Sequence, residues 1–135
     1  MSALTGHCLC GGVAFEVDRR DLGEPSACHC TQCRRFAGDV WTAVNVPRDG
    51  FRFTAGETLV AWYESSDFAR RGFCTKCGSS LFYHAHGLDD YKDRIAIAVG
   101  ALDAPTGLKT AMHIFVADKG DYYDIADGLP QKAKL

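Results

Sequence analysis

Cys28-His29-Cys30-Thr31-Gln32-Cys33 is the stretch on which the reading of this chain turns. Three thiols fall within six residues, and two further pairs answer them: Cys8 with Cys10 upstream, Cys74 with Cys77 downstream. These are all seven cysteines of the 135-residue chain. An odd number cannot close into a full set of disulfides. Neighbours spaced C-x-C and C-x-x-C would also close loops too small to constrain the unfolded chain much. A C-x-x-C pair can act as a redox couple where it opens a helix after a strand. Here Cys77 is followed by Gly78-Ser79-Ser80, a poor helix start. Thiols gathered this way are what a soft, tetrahedral ion such as zinc requires. The long spacings of iron–sulfur ferredoxins are absent.

Outward from the clusters, 47% hydrophobic and 24% charged residues describe an ordinary globular domain. A net charge of −2 argues against a general nucleic-acid or anionic-membrane surface. The N-terminal MSALTGHCLCGG lacks the basic-then-apolar pattern of a signal peptide. No apolar run approaches the roughly 20 residues that span a bilayer. The expectation is a cytoplasmic protein with reduced thiols and no nucleic-acid or membrane partner.

The chain between the clusters reads as short strands separated by turns. Strands are expected at Val13–Val17, Val40–Val46, Phe51–Thr54, Leu59–Tyr63, Ser79–His84, Arg94–Val99 and Ala111–Val116. Pro47 halts one of them, and Asp49-Gly50 marks a turn. Thr31–Ala37 reads as a short helix closed by Gly38, and Asp121–Ile125 as a helical turn. Phe68–Phe73 is a lead-in to Cys74, and Gly78 suits the tight turn of a zinc knuckle. The whole is a mainly-β, zinc-ribbon-like single domain over residues 1–130, stapled by zinc, with 131–135 a frayed tail.

Seven sulfurs divide most simply as four and three. Joining Cys8/Cys10 to Cys74/Cys77 ties the N-terminal segment to mid-chain across a long loop. Cys28, Cys30 and Cys33 then hold a second ion with one position free, the mark of a catalytic zinc site. Cys28/Cys30 pairing with Cys74/Cys77 is the other division. His29, His84, His86, His113 or a carboxylate could complete a second structural site instead. His84 and His86 otherwise read as surface residues, and His113 as a satisfied structural histidine. Trp41, Trp62, Tyr63, Phe82 and Tyr83 read as core aromatics of strands.

Gly6-His7-Cys8-Leu9-Cys10-Gly11-Gly12, Cys28 to Arg34, and Phe73-Cys74-Thr75-Lys76-Cys77-Gly78 together resemble the glutathione-dependent formaldehyde-activating enzyme family, a zinc-binding group with a centromere-protein-V-like domain. His113-Ile114-Phe115-Val116 and Ala126–Pro130 continue the match. The resemblance implies a β-tent fold of several small coiled antiparallel sheets. It implies a structural zinc on Cys8, Cys10, Cys74 and Cys77, and a second zinc, labile if its fourth position is free, on Cys28, Cys30 and Cys33. It implies a carbon–sulfur lyase that joins glutathione to formaldehyde as S-(hydroxymethyl)glutathione. The carboxylates of such a thiol need cations, and Arg34, Arg35, Arg70, Arg71 and Lys76 lie near the clusters in sequence, Arg34 and Arg35 foremost. The competing classes are a non-catalytic zinc-stabilised binding module and a thiol or metal sensor.

Overall fold

A computed structural model describes residues 3–135; Met1 and Ser2, where the expected domain begins, lie outside the described residues. In chain order the elements are β1 (Leu4–His7), β2 (Ala14–Val17), β3 (Ser26–Cys28), α1 (Thr31–Ala37), β4 (Trp41–Pro47), β5 (Phe51–Ala55), β6 (Val60–Glu64), β7 (Arg70–Cys74), β8 (Ser80–His84), β9 (Arg94–Ala98) and β10 (Met112–Ile114). A three-stranded sheet runs β1-β2-β5, and a seven-stranded sheet runs β10-β3-β4-β9-β8-β7-β6. All pairings are antiparallel except β10 on β3. The mainly-β expectation holds.

The two-residue period of β4 and β9 divides the interior in two. Val44 and Val46 pair with Ile97 and Ile95 across the ladder and face the larger core. Phe82 sits there, fully buried, with ring centroids 5.4 Å from Phe15 and 5.3 Å from Phe51. The three-stranded sheet covers this face with Leu4, Phe15 and Val17. The intervening residues, Trp41 and Ala43 on β4 and Ala96 and Ala98 on β9, face a smaller core with Cys28 and Cys33. Burial on both faces is why Arg94–Val99 alternates so poorly in sequence. Trp41 and Phe82 are core aromatics as expected, whereas Tyr63 is exposed.

Several local expectations change. Arg70–Cys74 is a strand between β6 and β8, not a lead-in. Leu4–His7 and Ser26–Cys28 are also strands, too short to show a period. Asp121–Ile125 forms no helix: the Lys119 ammonium donates to the Gly120 and Tyr123 carbonyls, and the Tyr123 hydroxyl accepts from the Gly120 N–H. The last residues lie beside β10. The His113 N–H donates to the Pro130 carbonyl, the Lys132 N–H to the His113 carbonyl, and the Phe115 N–H to the Lys134 carbonyl.

The turn after β5 shows how tightly the chain packs at the end of the three-stranded sheet. Gly56 has φ +71°, and a Cβ there would lie 2.0 Å from the Gly12 carbonyl oxygen. Both the positive φ and the backbone contact demand glycine. Gly56→Ala is expected to cost about 2–4 kcal/mol. Urea unfolding of the metal-loaded protein checks this as a lower midpoint at unchanged slope.

Candidate metal centres

Cys8 and Cys10 lie in the turn from β1 to β2, Cys74 ends β7, and Cys77 lies in the turn to β8. Their four Sγ atoms lie within 4.8 Å of one another. Cys8 and Cys10 are 3.5 Å apart, and Cys10 and Cys74 are 3.9 Å apart. Sulfurs around a tetrahedral zinc, each about 2.3 Å from the ion, lie about 3.8 Å apart, so the set fits that ion. Gly78, at φ +79°, turns the chain so that its N–H returns to the Cys74 carbonyl at 2.7 Å. Ser79 couples the two loops: its hydroxyl accepts from the Leu9 N–H at 2.9 Å and lies 3.2 Å from the Cys77 sulfur. Ser79, through its hydroxyl and its backbone N–H, pulls the Cys77 thiol down to about 5. Cys8 and Cys74 are buried in the larger core, while Cys10 is exposed. Sequence reading missed Ser79, which carries no signal beyond its place after Cys77-Gly78.

The other three cysteines form a second group, again within 4.8 Å of one another. Cys28 ends β3, Cys30 caps the N-terminus of α1, and Cys33 lies in its first turn. The Cys30 sulfur accepts the Cys33 N–H at 3.3 Å. At its other end the helix closes at Gly38, and the Ser80 hydroxyl donates to the Phe36 carbonyl at 2.8 Å, fixing α1 against β8. Hydrogen bonds from Cys28 and Cys33 hold the Cys30 thiol far below its ordinary value, and donating to Cys30 raises the Cys28 thiol. Three crowded sulfurs share protons in this way, and a bound cation takes the protons' place. No histidine, aspartate or glutamate among the described residues joins either group. The four-and-three division therefore matches the geometry, and pairing Cys28/Cys30 with Cys74/Cys77 does not.

His29 points away from its neighbouring sulfurs. Its Nε2 meets His113 Nδ1 at 2.8 Å and its Nδ1 meets the Tyr123 hydroxyl at 2.7 Å. His113 Nε2 meets Asp127 Oδ2 at 2.8 Å. Asp127 is held as a carboxylate by the Leu129 N–H and then by His113. It only accepts, so His113 Nε2 donates to it, and one proton lies in each of the two remaining contacts, His113 Nδ1 with His29 Nε2 and His29 Nδ1 with the Tyr123 hydroxyl. Burial holds the His29 imidazole below its ordinary value, which keeps it neutral. The row borders an open groove of about 490 Å³ that Thr42 and Thr110 also line. His113 is the satisfied histidine that was expected, but its partners, 84 residues away in His29 and 14 away in Asp127, were not legible.

The remaining candidates scatter. Arg34 donates to the carbonyls of His29 and Asp118 at 3.1 and 3.2 Å, while Arg35 is exposed. Arg70 lies over the Trp62 ring at 4.3 Å, and Lys76 is exposed. Arg71 is buried and meets Cys33, so it is not a solvated surface charge. His84 is buried too, with Nε2 2.8 Å from the Lys92 carbonyl, which corrects its reading as a surface residue. His86 lies at the surface, paired with Glu64. His113→Phe keeps an aromatic ring but leaves the buried His29 Nε2 without its hydrogen-bond partner. The expected cost is about 1–3 kcal/mol, read by urea unfolding, with a smaller loss for Asp127→Asn at the exposed end of the row.

Residues 3–118 match the model of the family described as glutathione-dependent formaldehyde-activating enzyme. An uncharacterized lyase of Schizosaccharomyces pombe is 27% identical over 130 residues, 94% of this chain and 88% of that protein. A Halomonas elongata protein that bears the provisional name of glutathione-dependent formaldehyde-activating enzyme is 26% identical over 128 residues, 90% of this chain and 80% of its own. A crystal structure of a Rhodobacter sphaeroides protein shares the fold, with a TM-score of 0.62 at 24% identity over 74% of this chain and 88% of that one. With its cysteine clusters inside a match that spans most of its length, the chain belongs to the glutathione-dependent formaldehyde-activating enzyme family.

Proposed function

We propose that this protein is a zinc-dependent enzyme of the carbon–sulfur lyase type, working on a thiol and an aldehyde at the three-cysteine centre, with glutathione and formaldehyde as the pair. The observation that carries this reading is the second cluster itself. Three sulfurs converge there and no fourth protein donor joins them among the described residues. A purely structural site closes its fourth corner with protein, and a catalytic one leaves it to substrate. The family match supports the choice of thiol and aldehyde. Seven free cysteines support a reducing, cytoplasmic setting.

The reaction is an addition. The thiol sulfur bonds to the aldehyde carbon, the carbon–oxygen π bond opens, and the thiol proton ends on the new hydroxyl. Cys28, Cys30 and Cys33 would hold a zinc ion, whose positive charge would favour thiolate over thiol. The chain's own part is to fix that corner. α1 holds Cys30 and Cys33 through its first turn, and the Ser80 bond to Phe36 keeps the helix in place. Arg34 steadies the backbone at His29, and Arg35 stands exposed on the same helix as a partner for a substrate carboxylate. The four-cysteine cluster fastens β7, which carries Arg71 to the second centre.

Zinc per chain, measured before and after excess glutathione, tests the reading together with two substitutions. We expect two ions, with the second lost or newly ligated when glutathione is added. Cys30→Ser is expected to keep the circular dichroism spectrum, bind one ion and form adduct at the uncatalysed rate. Cys74→Ser is expected to unfold the domain, because structural zinc contributes about 10–16 kcal/mol, as much as the whole stability of a domain this size. Two ions indifferent to glutathione, or unfolding by Cys30→Ser, would sink the proposal.

A further inference from the structure

Arg71 is 5% exposed, yet forms no ion pair with a carboxylate among the described residues. Its Nε donates to the Ser65 hydroxyl at 3.2 Å, one terminal nitrogen to the Gln32 amide oxygen at 3.4 Å and the other to the Cys33 sulfur at 3.5 Å. A guanidinium has five N–H groups, so each terminal nitrogen keeps one uncommitted. Its carbon lies 4.8 Å from the Tyr83 ring centroid and 5.5 Å from that of Phe36, so aromatic faces flank the charge. A buried charge is retained only where an opposite charge answers it. The anion that Arg71 meets is the sulfur cluster.

The two centres differ in the way this explanation requires. A divalent ion on three thiolates carries one net negative charge, and Arg71 cancels it where Cys28 and Cys33 are buried. A divalent ion on four thiolates carries two. That centre opens to water at Cys10 and receives N–H groups from Gly12 and Val13 on its sulfurs. The centre without an exposed sulfur is the one given an arginine.

We infer that Arg71 is the buried counter-cation of the three-cysteine centre and makes its remaining position selective for an anionic sulfur ligand over a neutral nitrogen ligand. A thiolate adds a second net negative charge to the centre and needs Arg71 close by, whereas imidazole adds none. The counter-cation half stands on burial and contacts alone. The selectivity half rests on the reading of that position as a thiol site. Arg71 acts through Cys33 and the charge it supplies, as a specificity-determining residue.

Arg71→Met removes the charge and keeps an apolar stem; Arg71→Lys keeps the charge and loses the fork. Three measurements apply to the full chain. The first is release of zinc to a chromogenic chelator. The others are titrations of the cobalt-substituted protein with 2-mercaptoethanol and with imidazole, followed by cobalt absorption. In Arg71→Met the faster-released ion is expected to leave at least ~10-fold sooner. Thiol affinity should fall at least ~10-fold while imidazole affinity moves less than ~3-fold. Arg71→Lys should recover most of both. Unchanged release in a folded Arg71→Met, or thiol and imidazole weakening in parallel, overturns the proposal. So does an Arg71→Lys that folds but releases its ion and discriminates like an uncharged variant, an outcome readable even where Arg71→Met does not fold. If the unsubstituted cobalt protein takes up no thiol, the thiol-site reading fails, and chelator release still decides the counter-cation.

Discussion

Cys10 and Cys74 stand 64 residues apart in sequence and 3.9 Å apart in space. Everything else in the molecule has to accommodate that meeting. It brings the turn after β1 against the end of β7 and so sets one sheet upon the other. A domain of this size buries a modest core, and strands of three to seven residues contribute little each. A cross-link over so long a loop removes much of the unfolded chain's freedom. The four sulfurs act as that link once a cation joins them.

The second cluster makes the opposite demand. Its sulfurs come from one short stretch, so they constrain the unfolded chain little, and the fold has to be brought to them. β3 and α1 present them, β10 flanks β3, and β7 supplies Arg71 from the far side of the sheet. The first cluster lies at the end of β7, and the same strand carries Arg71 to the second, so one strand physically links the two cysteine groups.

Much of this was legible in the sequence. The cysteine spacings are short and ligand count suggests four and three, but which pairs join became plain only from the geometry. α1 was signalled by the closing Gly38, and β4 by its run of β-branched and aromatic residues. What stayed hidden has one cause: burial decided by partners distant in sequence. Arg70-Arg71-Gly72 looks like surface, and becomes strand because Trp62 and Phe82 close on Gly72 and a thiolate cluster accepts Arg71. His84 is buried because a main-chain carbonyl of Lys92 awaits it. The row from Tyr123 to Asp127 joins residues of three separate segments, and no local pattern predicts such a row.

The central strands also keep two ledgers apart. Along β4 the residues that pack against Phe15 and Phe82 alternate with those that pack against Cys28 and Cys33. Neighbours in the chain thus belong to different interiors, one sheet's thickness from each other. A change at Val44 or Val46 falls on the larger core, and a change at Trp41 or Ala43 on the packing around Cys28 and Cys33. The two interiors can therefore be altered separately along a single strand, one by its even-numbered and the other by its odd-numbered residues.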